Sequence, residues 1–206
     1  MRKIAGLAGA PADLSGRIEW LKRAVDEIVR ASHLPDRSAF DGVDAAGGFA
    51  ISPRLMHTGG IPAQTSADGT NATPVVTETY IAEVFIPANV TLTGIALFNG
   101  SAVSGSVVLG LANSSGLVVA NSALAGTVQS GTDAYQRIAF TSVYAAVGPA
   151  TYYVLAQFNN TGARFNAHAF GNFGASKKTG EVFGTLTTIT PPTTFTADLG
   201  PIASLY

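Results

Sequence analysis

Cysteine is missing from the 206 residues. Its absence excludes disulfide staples, thiolate metal sites and cysteine nucleophiles, and it says nothing about the redox state of the compartment. Charge is the next shortage: Lys, Arg, Asp and Glu make up 12% of the chain and leave a net charge of −1. So neutral a chain has no electrostatic footprint for nucleic acid or for an acidic membrane surface, and neither is expected as a partner. Long apolar runs are lacking too, none approaching the ~20 residues that cross a bilayer. The opening MRKIAGLAGAPADLSG superficially resembles a secretory signal. Its apolar stretch, however, is at the bottom of the usual ~7–15 residues and is mostly Gly and Ala, so a soluble protein is expected.

The side-chain patterns that carry catalysis are scarce as well. His33, His57 and His168 have no second histidine or carboxylate at metal-ligand spacing. His57, in RLMHTGG, reads as surface of a connecting segment, and His168, in a strand-like run, as a hydrogen-bonded structural histidine. There is no G-x-S-x-G elbow and no G-x-G-x-x-G following a strand. Gly174-Ala-Ser-Lys-Lys-Thr-Gly180 lacks the Gly-Lys-Ser/Thr end of a phosphate loop and reads as a basic surface loop. The carboxylates Asp68, Glu78, Glu83, Asp133, Glu181 and Asp198 are unpaired by spacing. Glu78 and Glu83, an odd number apart on one strand, should face opposite ways. Asp41-Gly-Val-Asp44 and Asp68-Gly-Thr-Asn71 read as turns rather than calcium loops. No catalytic residue, cofactor or metal is expected, and the chain reads as non-enzymatic.

What is present divides sharply along the chain. Of the 25 charged residues, 15 lie in the first 60 positions, a composition shift that marks a boundary. Residues 1–34 form an arm containing one helix, DLSGRIEWLKRAVDEIVRAS (13–32), ended before Pro35. Leu14, Ile18, Leu21, Val25 and Ile28 recur at steps of four, three, four and three, the seam of a coiled coil. Asp13 or Ser15 can cap its start, and Glu19 with Arg23 and Asp26 with Arg30 have the acid-first spacing that favours outer-face pairing. Two to three heptads span only ~28 Å at about 1.5 Å per residue, so the seam needs help from an oligomeric body. Its mixture of Ile, Val and Leu is compatible with three strands. The same helix could instead cover its own domain or dock on another protein, with Trp20 as the candidate docking residue.

Residues 35–74 read as a Gly/Pro-rich linker, partly extended, and 75–206 as a β-domain. TETYIAEVFIP alternates around Tyr80, Ala82, Val84 and Ile86; TLTGIALFNG follows. SVVLGLANSSGLVVANS then makes a hairpin around Asn113-Ser-Ser-Gly116. AYQRIAFTS, ATYYVLAQFNNTG, ARFNAHAFG, EVFGTLTTI and TTFTADLG complete about eight strands. The terminal PPTTFTADLGPIASLY should pack as an edge strand or reach a partner. The fold class expected is mainly β: an antiparallel sandwich, jelly-roll-like, behind the helix and linker. Tyr135, Tyr144, Tyr152 and Tyr153, with Phe158, could supply an interface or a glycan-stacking platform. Adjacent Tyr152 and Tyr153 must face opposite sides, one in the core and the other outside or in an interface.

TETYIAEVFIPANVTLTGIALFNG, VVLGLANSSGLVVANS, YQRIAFTSVYAAVGPATYYVLAQF and PTTFTADLGPIASLY together resemble the β-sandwich modules of tailed-bacteriophage virion proteins, such as head fibres, capsid decoration proteins and tail fibres. The resemblance covers roughly 130 residues. It implies a homotrimer made in the bacterial cytoplasm and located in the virion. Its partners would be its own copies, capsid or other virion proteins, and in the tail-fibre alternative a host-surface glycan. It names no catalytic residue.

Overall fold

A computed structural model describes residues 56–60 and 69–206. The arm, with Leu14, Ile18, Trp20, Leu21, Val25 and Ile28, lies outside the described residues, as do both aspartates of 41–44 and Asp68.

The described chain is mainly β and its sheets are antiparallel. In order, the strands are β1 (Thr70–Ala72), β2 (Glu78–Ile86), β3 (Val90–Phe98), β4 (Ser106–Ala112), β5 (Val118–Asn121) and β6 (Thr127–Val128). They are followed by β7 (Tyr135–Ala146), β8 (Ala150–Phe158), β9 (Phe165–Ala167), β10 (Ala175–Thr179) and β11 (Ala203–Leu205). A six-stranded sheet runs β10-β2-β8-β4-β5 with β6 beside β4, a three-stranded sheet runs β11-β3-β7, and β1 pairs with β9. The pairings nest: β2 pairs with β8, and β3, directly after β2, pairs with β7, directly before β8.

The two larger sheets share one core, as the side-chain alternation requires. Tyr80, Val84 and Ile86 of β2, Leu109 and Leu111 of β4, and Val154, Ala156 and Phe158 of β8 meet Leu92, Ile95 and Leu97 of β3. Ile138 and Phe140 of β7 and Ala203 and Leu205 of β11 complete the cluster. Phe158 stacks on Phe165 at 4.9 Å between ring centres, and Tyr80 leans on both rings. Removal of these apolar faces from water, at about 25 cal/mol per Å², is the main force holding the sheets together.

The six-stranded sheet is also covered on its other face, which is why β8 is buried almost throughout instead of alternating. The cover is the chain from Glu181 to Phe195, a strap laid across the sheet to the edge strand β10. Ile189 and Leu186 pack on Ile81, Ala112, Tyr153 and Leu155. The strap is tied to the Asn113–Leu117 hairpin loop by Ile189 N–H to the Gly116 carbonyl, 3.0 Å. Gly116 is required there twice over, by its φ of 84° and because a Cβ would meet the Ile189 carbonyl oxygen.

Several expectations change here. EVFGTLTTI and TTFTADLG are not strands: the Thr-rich composition suits a strand, but Val182–Thr185 form a turn. Pro191 and Pro192 lack the N–H that a ladder needs, and the segment lies on a sheet instead of joining one. ASKKT, read as a loop, is β10. It pairs with β2 at a sheet edge, where exposed lysines are the normal guard against further strand addition. The described residues hold eleven strands rather than about eight, and ARFNAHAFG contributes only the three residues of β9. The hairpin at Asn113–Gly116 forms as expected, with Asn113 Oδ1 accepting from the Ser115 and Leu117 amides. The C-terminus supplies the short β11, whose far side takes hydrogen bonds with Met56 and Thr58, residues read as linker. The body therefore includes part of the 35–74 segment.

At one end of the sandwich the loops are tied by side-chain amides. Fully buried Asn99 donates from Nδ2 to the Ser130 carbonyl (2.7 Å) and to Gln136 Oε1 (3.1 Å), and its Oδ1 accepts from Gln129 Nε2 (2.9 Å). Gln129 reaches on to the Arg164 carbonyl, and Asn166 Nδ2 donates to the Asn99 carbonyl.

Candidate functional site

Alternation along the strands decides where the aromatic candidates go, and it scatters them. Tyr152 points into the core, where its hydroxyl both donates to and accepts from the backbone of Val147. Tyr144 meets it edge-on at 6.3 Å, and burial first, then the hydrogen bond to Tyr152, pushes the Tyr144 phenol up to about 12. Tyr135 stacks on Phe98 on the outer side of the three-stranded sheet and is 37% exposed. Phe158 is fully buried. Tyr153 does face away from Tyr152, as expected, but it is neither outside nor at an interface: Ile189 of the strap covers it. Burial, then the nearby Glu83, raises its pKa. These residues do not form a stacking platform.

Glu78 and Glu83 do lie on opposite faces. Glu78, on the core side, is buried, accepts from the Tyr80 hydroxyl at 2.7 Å and is paired with Lys177 Nζ at 2.6 Å. Desolvation and then the hydrogen bond to Glu78 raise the Tyr80 phenol pKa. Glu83, on the strap side, accepts the Gly174 amide at 2.8 Å through Oε2.

His168 is the buried, hydrogen-bonded histidine expected, its Nε2 lying 2.9 Å from Thr58 Oγ1. His57 is not surface. It is 7% exposed, because the 56–58 segment closes the outer edge of β11. Burial lowers the pKa of both. In His168, where proximity to His57 adds to burial and a hydrogen bond with Thr58 opposes it, the value falls to about 4.

Phe173 packs edge-on against His168 at 4.8 Å and meets Phe195 of the strap at 5.2 Å. Where the strap passes β10, two grooves flank Pro192–Thr194. One, of about 530 Å³, is lined mainly by hydroxyls (Ser176, Thr179, Thr188, Thr190) with Lys177 and Lys178. Both lysines are engaged, Lys177 by Glu78 and Lys178 by Glu181 at 2.8 Å and by Thr187 and the Thr188 carbonyl. The other groove, of about 460 Å³, is lined by Glu83, Asn172, Phe173, Gly174 and the strap residues Pro192–Phe195. Sequence reasoning missed it because its two walls are separated by about twenty residues and one was read as a strand. The only cue was Asn172-Phe173-Gly174 before a basic pair. Among the described residues no three His, Asp or Glu side chains are grouped to hold a metal ion.

No protein-family model matches the chain, and no curated protein or solved structure is significantly similar to it.

Proposed function

We propose that the chain is a non-enzymatic structural protein of a bacteriophage virion, a homotrimer attached to the particle by its N-terminal arm and displaying the sandwich outward as a head decoration or short fibre. The observation that carries this reading is the outer face of β3 and β7. Thr91, Thr93, Ala139, Thr141, Val143 and Ala145 are exposed there in one neutral, small-residue surface. Its single charge, Arg137, is occupied over the Tyr206 ring at 4.5 Å. Such a face suits close packing of copies about an axis, because it carries one charge to desolvate and that guanidinium already lies over a ring. The nested β2/β8 and β3/β7 pairing supports a jelly-roll-like winding, and the heptads at Leu14, Ile18, Leu21, Val25 and Ile28 would supply the symmetry.

Light scattering on the full chain at micromolar concentration should therefore return the mass of three copies. Ile18→Asp with Val25→Asp places carboxylates in the seam and should return single copies while the β-type circular dichroism and the melting temperature stay put. A double variant that still assembles into threes would mean that the helix covers its own domain.

A further inference from the structure

The groove beside Glu83 has the makings of a binding site rather than a packing defect. Its walls are fixed by backbone hydrogen bonds: Glu83 N–H to the Gly174 carbonyl (2.8 Å), Ala175 N–H to the Thr194 carbonyl (3.2 Å) and Thr196 N–H to the Ala175 carbonyl (2.9 Å). Gly174 is pinched between them, since a Cβ there would meet the Pro192 carbonyl oxygen and, at 3.1 Å, Glu83 Oε2. The Phe173 ring is boxed by His168, Phe195 and Gly59, where an added Cβ would strike it. Walls held in this way cost little to order when a ligand arrives. The volume, about 460 Å³, is in the range of about 300–1,000 Å³ typical of small-ligand sites.

The lining selects the ligand by chemistry. Glu83 spends Oε2 on the Gly174 amide and has a second oxygen to accept with; Asn172 brings a carboxamide, and Thr193 and Thr194 bring exposed hydroxyls. Phe173 and Phe195, both half-buried, add apolar ring surface. An anionic ligand is disfavoured, because the groove's one charged side chain is a carboxylate and the neighbouring lysines are already engaged by Glu78 and Glu181. A simple organic cation would use the carboxylate and the rings but leave the carboxamide and hydroxyls without partners. A neutral sugar uses all of them: hydroxyls that donate to a carboxylate and exchange hydrogen bonds with amide and threonine groups, and a C–H face that lies on phenyl carbon.

We propose that the groove formed by Glu83, Asn172, Phe173, Thr193, Thr194 and Phe195 binds a neutral saccharide. The Glu83 carboxylate accepts a pair of sugar hydroxyls; of the two phenyl rings, whose planes lie 63° apart, one supports the sugar's apolar face and the other meets its edge. The hydroxyl-lined groove on the other side of Pro192–Thr194 would contact further units of a longer chain. The site stands apart from the β3/β7 face of the oligomeric reading above, since no residue of that face lines it.

The full-length protein would be titrated with glucose, galactose, N-acetylglucosamine and lactose, with sialyllactose as an anionic probe and choline as a cationic one, followed by amide NMR shifts. The expected result is saturable millimolar binding of at least one neutral sugar, insensitive to salt, with the largest shifts at Gly174, Thr193 and Thr194. Glu83→Gln keeps an acceptor for the Gly174 amide and should preserve the fold while weakening binding about tenfold, the loss of a charge-assisted hydrogen bond. Asn172→Ala, at an exposed position, should weaken it severalfold. Tyr135→Ala, which does not line the groove, should leave it unchanged. The proposal is overturned if no neutral sugar binds, if sialyllactose or choline binds in preference, or if binding survives both Glu83→Gln and Asn172→Ala. Loss of binding in Tyr135→Ala instead would move the site to the other face.

Discussion

Replacing Asn99 by alanine should lower the unfolding free energy by about 3 kcal/mol, measured as a reduced midpoint in urea at unchanged slope. The side chain is fully buried and its amide makes three bonds at once to the stretch from Gln129 to Gln136: the Ser130 carbonyl, Gln136 Oε1 and Gln129 Nε2. Each such bond has a modest net worth, about 1 kcal/mol. The larger cost comes from what is left behind, because the partners are then desolvated with fewer places to turn. Gln129 and Gln136 retain the Arg164 carbonyl and the Ser130 amide respectively, which keeps the expected loss well below the sum of three orphaned groups. The backbone of Asn99, with its own bonds to Ala134 and from Asn166, should hold its place. A loss within about 0.5 kcal/mol of zero would mean that water replaces the amide and that the loop cluster is not tied by it.

Acid should loosen the body well before carboxylates titrate. His168 has a folded-state pKa of about 4 against an ordinary 6.5, so the folded chain keeps it neutral while the unfolded chain takes up a proton. Above pH 6.5 neither state binds it and stability is flat. As the pH falls below 6.5 the unfolded state is favoured by about 1.4 kcal/mol per unit, about 2 kcal/mol by pH 5 and about 3 kcal/mol by pH 4, where the effect levels off. His57, shifted the same way by burial, adds to the slope. Urea titrations at pH 7, 6 and 5 read the effect directly. His168→Gln, which can still offer a polar group toward Thr58, should remove most of the slope even if it lowers stability at pH 7. An unchanged slope in that variant would assign the acid sensitivity elsewhere.

Both predictions rest on features of very different visibility in the sequence. The alternation at Tyr80, Ala82, Val84 and Ile86 could be read directly, because those positions face the shared core. Glu78 and Glu83 followed from the same two-residue period. Tyr153 defeated that logic: its outward face is real, but the cover arrives from Ile189, more than thirty residues on. The strap itself was hidden by threonine, whose β-branched side chain favours strand and also suits an extended segment lying flat on a sheet. β10 was hidden for the opposite reason, since the two lysines that protect an edge look like loop composition. His57 reads as exposed because its burial is created by β11, nearly 150 residues away. Nothing local announces the groove at Glu83, whose chemistry exists only when the strap meets the end of β2.

The particle is where the central proposal meets its most direct test. Particles purified from a lysate of the phage that, on this proposal, encodes the chain would be examined by mass spectrometry and electron microscopy. The expected result is the chain in stoichiometric amount, seen as threefold-symmetric density outside the shell or tail with the sandwich pointing away from the surface. Purified particles without the chain, alongside abundant chain left in the soluble lysate, would contradict a structural role in the virion.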